Sequence, residues 1–281
     1  MKDLRGKRAL VTGAASGIGR CIALALAREG VALFVTDCDE AGLDAVSREA
    51  SAEGVAVETA LCDLTDRAAI SAMLSRVTER PLNIVVNCAG VALYGSLHLM
   101  TSDEVQRLLA VNLLAPVQIV TELLDHLLQA EDAHIVNVSS FLGLAPINRL
   151  VAYQTSKFGL CGLTLSLRID YGRENFGVTL LCPGFVRTLM LEKSIDRDTG
   201  QAPAPLPAWL CTTPEKVARK AIGAIKKNKG IVVITPLARL AWWSMRLSPK
   251  LYEWRRRGGW RSRERVLSRS GADSSDIRRI E

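Results

Sequence analysis

The amino-acid sequence predicts an α/β fold built on one doubly wound parallel sheet of about seven strands with helices on both faces. Three observations predict it. Short apolar runs rich in β-branched residues alternate with longer helical stretches. The runs lack polar alternation, as expected of strands covered on both faces. The first run ends in a glycine-rich turn that opens a helix rich in Ala and Leu. A chain of 281 residues can bury one substantial core, and 48% hydrophobic with 23% charged residues is an ordinary globular composition.

The predicted strands cover residues 8–12, 31–37, 55–62, 82–87, 134–139, 178–182 and 231–235. Helix boundaries are readable between them. Thr101-Ser102-Asp103-Glu104 offers a polar N-cap and an acidic first turn, and Thr213-Pro214-Glu215 puts Pro at the first helical position. Two stretches break the alternation. Residues 189–212 contain Gly200 and the run Ala-Pro-Ala-Pro-Leu-Pro, too long for an ordinary connection, and are expected to form a lid. Residues 237–281 follow the last strand and carry twelve Lys/Arg against five Asp/Glu, so they hold the whole formal charge of +7.

That tail places Leu237, Leu240, Trp243, Leu247, Leu251 and Trp254 near helical spacing beside Arg239, Arg246 and Lys250, followed by Arg255-Arg256-Arg257. The pattern fits a helix packed over a pocket or against another subunit, and it fits a helix lying in a membrane interface. No nucleic-acid reading module accompanies the basic run, so no specific nucleic-acid partner is expected. No apolar run approaches the ~20 residues of a bilayer span, and Met1 to Gly13 runs into a strand pattern without an apolar h-region or cleavage site, so no leader is expected. The expected location is cytoplasmic, with a peripheral membrane position left open by the tail.

Seven scattered cysteines without a Cys-x-x-Cys pair read as buried free thiols, and His98, His126 and His134 show no ligand spacing, so no metal site is expected.

The turn Thr12-Gly13-Ala14-Ala15-Ser16-Gly17-Ile18-Gly19 lies where the first strand meets the first helix. Glycines there let backbone approach a pyrophosphate, which the helix N-terminus attracts. The spacing differs from the standard Gly-x-Gly-x-x-Gly fingerprint. The second strand ends in Asp37, where a carboxylate accepts hydrogen bonds from an adenosine ribose. Asp39 and Glu40 follow, and neither position 38 nor position 16 is basic. A 2′-phosphate would meet like charge, so NAD is expected over NADP. The competing reading of Asp37 is a helix cap.

Tyr153 and Lys157 stand four residues apart, on one face of a helix. A phenol ionises near 10, and bringing it close to neutrality takes about 4 kcal/mol, which a shielded ammonium and a cationic cofactor ring can supply. Ser140 precedes Tyr153 by thirteen residues and follows the fifth strand at its carboxyl end.

Taken together, these motifs resemble the classical short-chain dehydrogenase/reductase family, over about the first 235 residues. Thr12 to Gly19 matches its Thr-Gly-x-x-x-Gly-x-Gly turn, Asp63 its adenine-contacting acid, and Ser140, Tyr153 and Lys157 its Ser-Tyr-Lys core. The Pro183-Gly184-Phe185-Val186-Arg187-Thr188 segment matches its Pro-Gly motif. The resemblance implies that Ser140 hydrogen-bonds the substrate oxygen, Tyr153 exchanges the proton, and Lys157 holds the nicotinamide ribose while lowering the phenol pKa. It implies that Asn112 holds a relay water and that Thr188 holds the carboxamide. The implied cofactor contacts are Gly13, Ser16, Gly17, Ile18, Gly19, Asp37, Asp63, Leu64, Asn87, Ala89, Gly90, Tyr153, Lys157, Pro183, Gly184, Val186 and Thr188. One departure is Cys88, where the family carries Asn within Asn-Asn-Ala-Gly. Ser139 is the neighbouring serine, which the thirteen-residue spacing to Tyr153 disfavours.

The implied organisation is a Rossmann-type dinucleotide-binding catalytic domain over 1–236, including the lid 189–212, followed by a basic amphipathic extension over 237–281. The expected reaction interconverts a secondary alcohol and a ketone with NAD(H). Leu142, Leu144, Ala145, Ile147, Phe185, Leu189, Met190 and Leu191 would make an apolar wall for a steroid-, retinoid- or lipid-like substrate. A homodimer or homotetramer through residues 103–130 and 151–172 is implied. The alternative is a nonenzymatic NAD-binding regulator or membrane-associated adaptor, which would need the glycine turn and Asp37 but not the Ser-Tyr-Lys set.

Overall fold

The computed structural model describes residues 1–187, 196–203 and 206–256. Seven parallel strands form the central sheet: β1 (Arg8–Thr12), β2 (Ala32–Asp37), β3 (Val57–Leu61), β4 (Ile84–Asn87), β5 (Ala133–Val138), β6 (Phe176–Cys182) and β9 (Ile231–Val233). A separate two-stranded pair joins β7 (Phe185–Val186) to β8 (Cys211–Thr212). The seven expected strands are all present, with ends moved by a few residues. The last one stops at Val233 because Thr235 turns away to cap the next helix, accepting from the Ala238 amide.

Strand order is β3-β2-β1-β4-β5-β6-β9. The chain winds outward from β1 to β3, then returns to lay β4 on the other side of β1, with Val11 beside both Val35 and Val86. A crevice opens at the carboxyl ends of β1 and β4, where the winding reverses.

Successive strand residues point to opposite faces, so each strand feeds two cores. Ala9, Val11, Val35 and Val86 pack on one side with Ile22 and Leu26 of α1 (Gly17–Arg28), Val46 of α2 (Glu40–Ser51) and Val217 and Ile225 of α7 (Pro214–Lys226). Leu10, Phe34, Val85 and Ile135 pack on the other with Ile70 and Leu74 of α3 (Arg67–Thr78), Ile119 and Leu123 of α5 (Ala115–Gln129) and Leu167 of α6 (Val151–Tyr171). Each buried Leu or Ile contributes about 1.5–3 kcal/mol.

The helix starts follow their sequence signals. Asp66 caps α3, and Thr101 with Glu104 forms a capping box on α4 (Ser102–Leu109). Thr213 caps α7 ahead of Pro214, each such cap stabilising its helix by about 1 kcal/mol. Between α4 and α5 the rod runs through a π turn, Ala110–Leu114. By length and composition the continuous Ser102–Gln129 helix could cross a membrane, which the sequence reading did not anticipate. Its Ile119, Val120, Leu123 and Leu127 are instead buried in the second core, which accounts for the apolar composition.

Two further helices, α8 (Pro236–Leu247) and α9 (Pro249–Arg256), close the described chain. Ala238, Ala241 and Tyr252 join a third apolar cluster with Phe141, Leu142, Ala145 and Leu150. The start of the basic extension is therefore packed on the body.

Candidate active site

The crevice deepens into a cavity of about 310 Å³. Its first wall is the β1–α1 turn. Gly13 (φ +67°) and Gly17 (φ +55°) occupy the left-handed region. A side chain at Gly13 would place its Cβ 2.6 Å from the Ala89 Cα, and one at Gly19 would lie 2.0 Å from the Gly13 carbonyl oxygen. The Thr12 hydroxyl fastens the turn to the end of β4 by accepting from the amides of Cys88 (3.0 Å) and Ala89 (3.2 Å).

Ser16 is the N-cap of α1 but makes no side-chain cap bond, unlike Asp39, Asp66, Thr101 and Thr213. The first-turn amides are left to another acceptor, and the helix dipole favours an anion there. Bare glycine backbone and an uncapped helix start fit a dinucleotide pyrophosphate.

Asp37 ends β2 at the cavity rim. Its carboxylate accepts from the amides of Ala15 (3.0 Å), Cys38 (2.8 Å) and Asp39 (3.3 Å), tying the glycine turn to β2. The helix-cap alternative belongs to Asp39, which accepts from Gly42 at 3.1 Å. Asp63 and Leu64 line the far end. The Thr65 amide and hydroxyl, both 2.9 Å away, hold the Asp63 carboxyl below its usual range.

The second wall carries Ser140, Tyr153 and Lys157. Helix α6 sets Tyr153 and Lys157 one turn apart, and β5 delivers Ser140 at its carboxyl end. All three line the cavity, and Ser140 stands near enough to the Tyr153 phenol to favour its ionised form. Ser140 also accepts from the Leu142 amide at 3.1 Å. Ser139 also lines the cavity, but its hydroxyl is engaged elsewhere, donating to the Lys157 carbonyl at 3.0 Å and meeting Cys161 Sγ at 3.3 Å.

The expected lowering of the phenol pKa is not seen. Burial pushes Tyr153 up to about 12, against a smaller lowering by Ser140. Lys157 does not offset that burial. Lys157 Nζ lies 5.7 Å from the Tyr153 ring centroid and donates to the Val138 carbonyl at 3.0 Å, while its own burial lowers its pKa. Cys88, in place of the family asparagine, is likewise pushed up to about 12 by burial and stays a neutral thiol.

Of the predicted contacts, Gly13, Ser16, Gly17, Ile18, Gly19, Asp37, Asp63, Leu64, Ala89, Gly90, Pro183, Gly184 and Val186 line the cavity with Tyr153 and Lys157. Asn87 lies behind the wall, donating to Asn137 Oδ1 at 2.8 Å. Its Oδ1 is buried without a hydrogen-bond partner among the described residues. Asn112 is fully buried, and its amide clasps Val91 by accepting from N (2.8 Å) and donating to O (2.9 Å), with Ser156 Oγ at 3.1 Å. Its side chain is thus spent on holding the 88–91 segment against the π turn. Thr188, with Leu189, Met190 and Leu191, lies outside the described residues.

Leu142 and Phe185 line the cavity as expected, joined by Phe141 and Leu150. Leu144, Ala145 and Ile147 support the wall from the third cluster instead. Sequence reasoning missed the clamps on this wall. The Gln154 amide, itself buried, accepts from the Ile147 amide and donates to its carbonyl, both at 2.7 Å. From the outer side, Tyr252 donates to the Pro146 carbonyl at 2.8 Å. Arg149 grips Asp196 (2.5 Å) and Asp198 (2.6 Å) and lies over the Tyr94 ring. The positive φ of Arg149, 69°, exists only in the fold and left no mark in the sequence.

Comparison with known proteins agrees with this geometry. Residues 7–199 match the family model described as short chain dehydrogenase. The chain belongs to the short-chain dehydrogenase family. A probable oxidoreductase, EphD, of Mycobacterium tuberculosis is 34% identical over 254 residues, 85% of this chain and 43% of EphD. This chain therefore spans less than half the length of that relative. A short-chain dehydrogenase/reductase of Burkholderia phymatum in complex with NAD superposes with a TM-score of 0.76 at 26% identity, covering 88% of this chain and 96% of that one. A short-chain dehydrogenase of Sphingobium yanoikuyae in complex with NADPH gives a TM-score of 0.76 at 25% identity, covering 87% and 94%.

Proposed function

We propose that this chain is an NAD(H)-dependent oxidoreductase interconverting a secondary alcohol and a ketone on a hydrophobic, steroid-, retinoid- or lipid-like substrate. The observation that carries the reading is the meeting of Ser140, Tyr153 and Lys157 at the end of the cavity opposite Asp37. A nicotinamide dinucleotide, when bound, supplies or accepts the hydride.

In the reducing direction the Ser140 hydroxyl donates to the substrate carbonyl oxygen and orients it. Tyr153 transfers its phenolic proton to that oxygen as the carbon is reduced. Lys157 stabilises the phenolate left behind with its ammonium charge, and solvent then returns a proton to Tyr153. The high pKa of the buried phenol keeps that proton in place at neutral pH. In the oxidising direction Tyr153 takes the alcohol proton, and the nearby cations must first lower its pKa.

Asp37 supports NAD over NADP, since its carboxylate stands where a 2′-phosphate would have to be paired. Both cofactors occur in the similar solved proteins, so the choice rests on this residue. Phe141, Leu142, Leu150 and Phe185, with the Phe141 and Phe185 rings packed edge-on at 75°, support an apolar substrate, which such walls select by burial.

The test is turnover of a panel of apolar ketones with NADH and with NADPH, run beside Tyr153→Phe. Wild type should prefer NADH, and the variant should lose roughly 10²–10⁴-fold in kcat while still binding NADH. Absorbance titration of the ligand-free pair should show that the phenol missing from the variant is one ionising at about 12. Undiminished activity in Tyr153→Phe would overturn the mechanism.

A further inference from the structure

Helices α8 and α9 turn two different faces outward and inward. Inward, α8 uses small residues, Ala238 and Ala241, with Trp242 and Met245 beside them, against the cluster that contains Phe141, Leu142 and Phe185. Outward, both helices present large apolar side chains to solvent: Leu240 is 64% exposed, Trp243 52%, Leu247 76% and Trp254 70%, with Leu237 and Leu251 also exposed. Such a row is the reverse of a surface helix, whose large residues ordinarily face the core.

At about 100° per residue, Leu240, Trp243 and Leu247 form a ridge along α8, and Arg239 and Arg246 run along one edge of it. Both arginines and Lys250 are exposed. Glu253 is the single carboxylate of the two helices. Sequence charge points the same way, because the twelve Lys/Arg and five Asp/Glu of 237–281 account for the full +7.

We propose that the outward face of α8 and α9 docks on the surface of an anionic lipid bilayer. Trp and Leu enter the headgroup boundary, and the flanking cations meet lipid phosphates and carboxylates. At twelve residues α8 is about 18 Å long, too short to cross the hydrocarbon, so it lies in the plane of the surface. A second copy of this chain fits poorly on the same face. A two-fold contact would bring Arg239, Arg246 and Lys250 against a like-charged equivalent surface, with a single carboxylate in each to offset them.

Docking this way sets the substrate side of the molecule toward the membrane. The cluster under α8 contains Phe185, whose β7 strand pairs with Cys211 just after the exposed Trp209. The inference stands apart from which alcohol is turned over, since it uses neither Tyr153 nor the cavity.

The full chain should be floated with vesicles of phosphatidylcholine alone and of phosphatidylcholine mixed with phosphatidylglycerol, at low and high salt. Expected is binding to the anionic vesicles only, weakened by salt, with a blue shift of tryptophan emission. Neutralising Arg239, Arg246 and Lys250 to Gln should weaken partitioning roughly a hundredfold. Leu240→Ser with Trp243→Ser should abolish it. Both variants should keep wild-type NADH affinity, which reports an intact fold. Absence of flotation on anionic vesicles, or binding indifferent to both variants, would overturn the proposal. So would a wild-type dimer that the Ser variant turns into monomer without a change in vesicle binding, because a second copy would then cover the face.

Discussion

The two ends of the cavity are built by different means. The end formed by β1, α1 and β2 is made of backbone: glycines without room for a side chain, amides around the Asp37 carboxylate, and a helix start left open. The end formed by β5, α6 and the third cluster is made of side chains that fasten one another: Gln154 on Ile147, Tyr252 on Pro146, and Arg149 on Asp196 and Asp198. A ligand common to many proteins can be met by fixed backbone. A substrate wall that is particular to one chain is held by replaceable parts, so the two ends should respond differently to substitution.

The largest contrast should come from glycines. Gly19→Ala should abolish NADH binding, measured by fluorescence titration, because its Cβ would stand 2.0 Å from the Gly13 carbonyl. Gly223→Ala, in the interior of α7 with nothing within 4 Å of the new Cβ, should leave binding intact and raise stability by up to about 1 kcal/mol in urea unfolding. Equal behaviour of the two would break the claim that the cofactor end is set by backbone contact.

Asp37→Ala with Cys38→Arg should come next. Removing the charge and adding a cation should move the NADH:NADPH ratio of kcat/KM toward NADPH by about tenfold to a hundredfold, the worth of one charge-assisted hydrogen bond. Because Asp37 also gathers the amides of Ala15, Cys38 and Asp39, the variant should unfold at lower temperature. A wild type that already uses both cofactors equally would sink the charge argument.

The smallest effects belong to the substrate end. Gln154→Ala should raise the KM of a bulky ketone several-fold with NADH affinity unchanged, since Ile147 loses both of its partners. Tyr252→Phe removes one hydrogen bond, about 1 kcal/mol, and should shift the same KM about fivefold or less. If either variant weakened NADH as much as ketone, the two ends would not be separable.

The same division explains what could be read from sequence. All seven strands were legible because β-branched runs and their spacing are local properties, and the glycine turn, Asp37, Ser140, Tyr153 and Lys157 were legible because family spacing fixes them. The clamps of Tyr252 and Arg149 were not, because they join residues far apart in the chain. Tyr252 and Pro146 are separated by 106 positions and Arg149 and Asp196 by 47, and neither pair forms a pattern in a window. Asn112 was found by its family motif, but its grip on Val91 depends on the π turn, which nothing in the composition of Ala110–Leu114 announces. Lys157 was found, while its engagement with the Val138 carbonyl joins two elements and has no local signature.

The π turn also constrains the chain in a way that residue identity does not. A helix keeps angular phase at about 100° per residue, so a widened turn works as an offset between the parts before and after it. Here α4 keeps Leu108 on the protein side while α5 keeps Ile119, Leu123 and Leu127 there, and the offset lies between them at Asn112. A widened turn takes in one extra residue, so removing one from 110–114 would let the rod wind regularly with its two parts in nearly the same phase. The α5 leucines would keep to the core, and the loss would fall on Asn112 and its hold on Val91. At this point of the fold the length of the chain is under stricter constraint than its spelling.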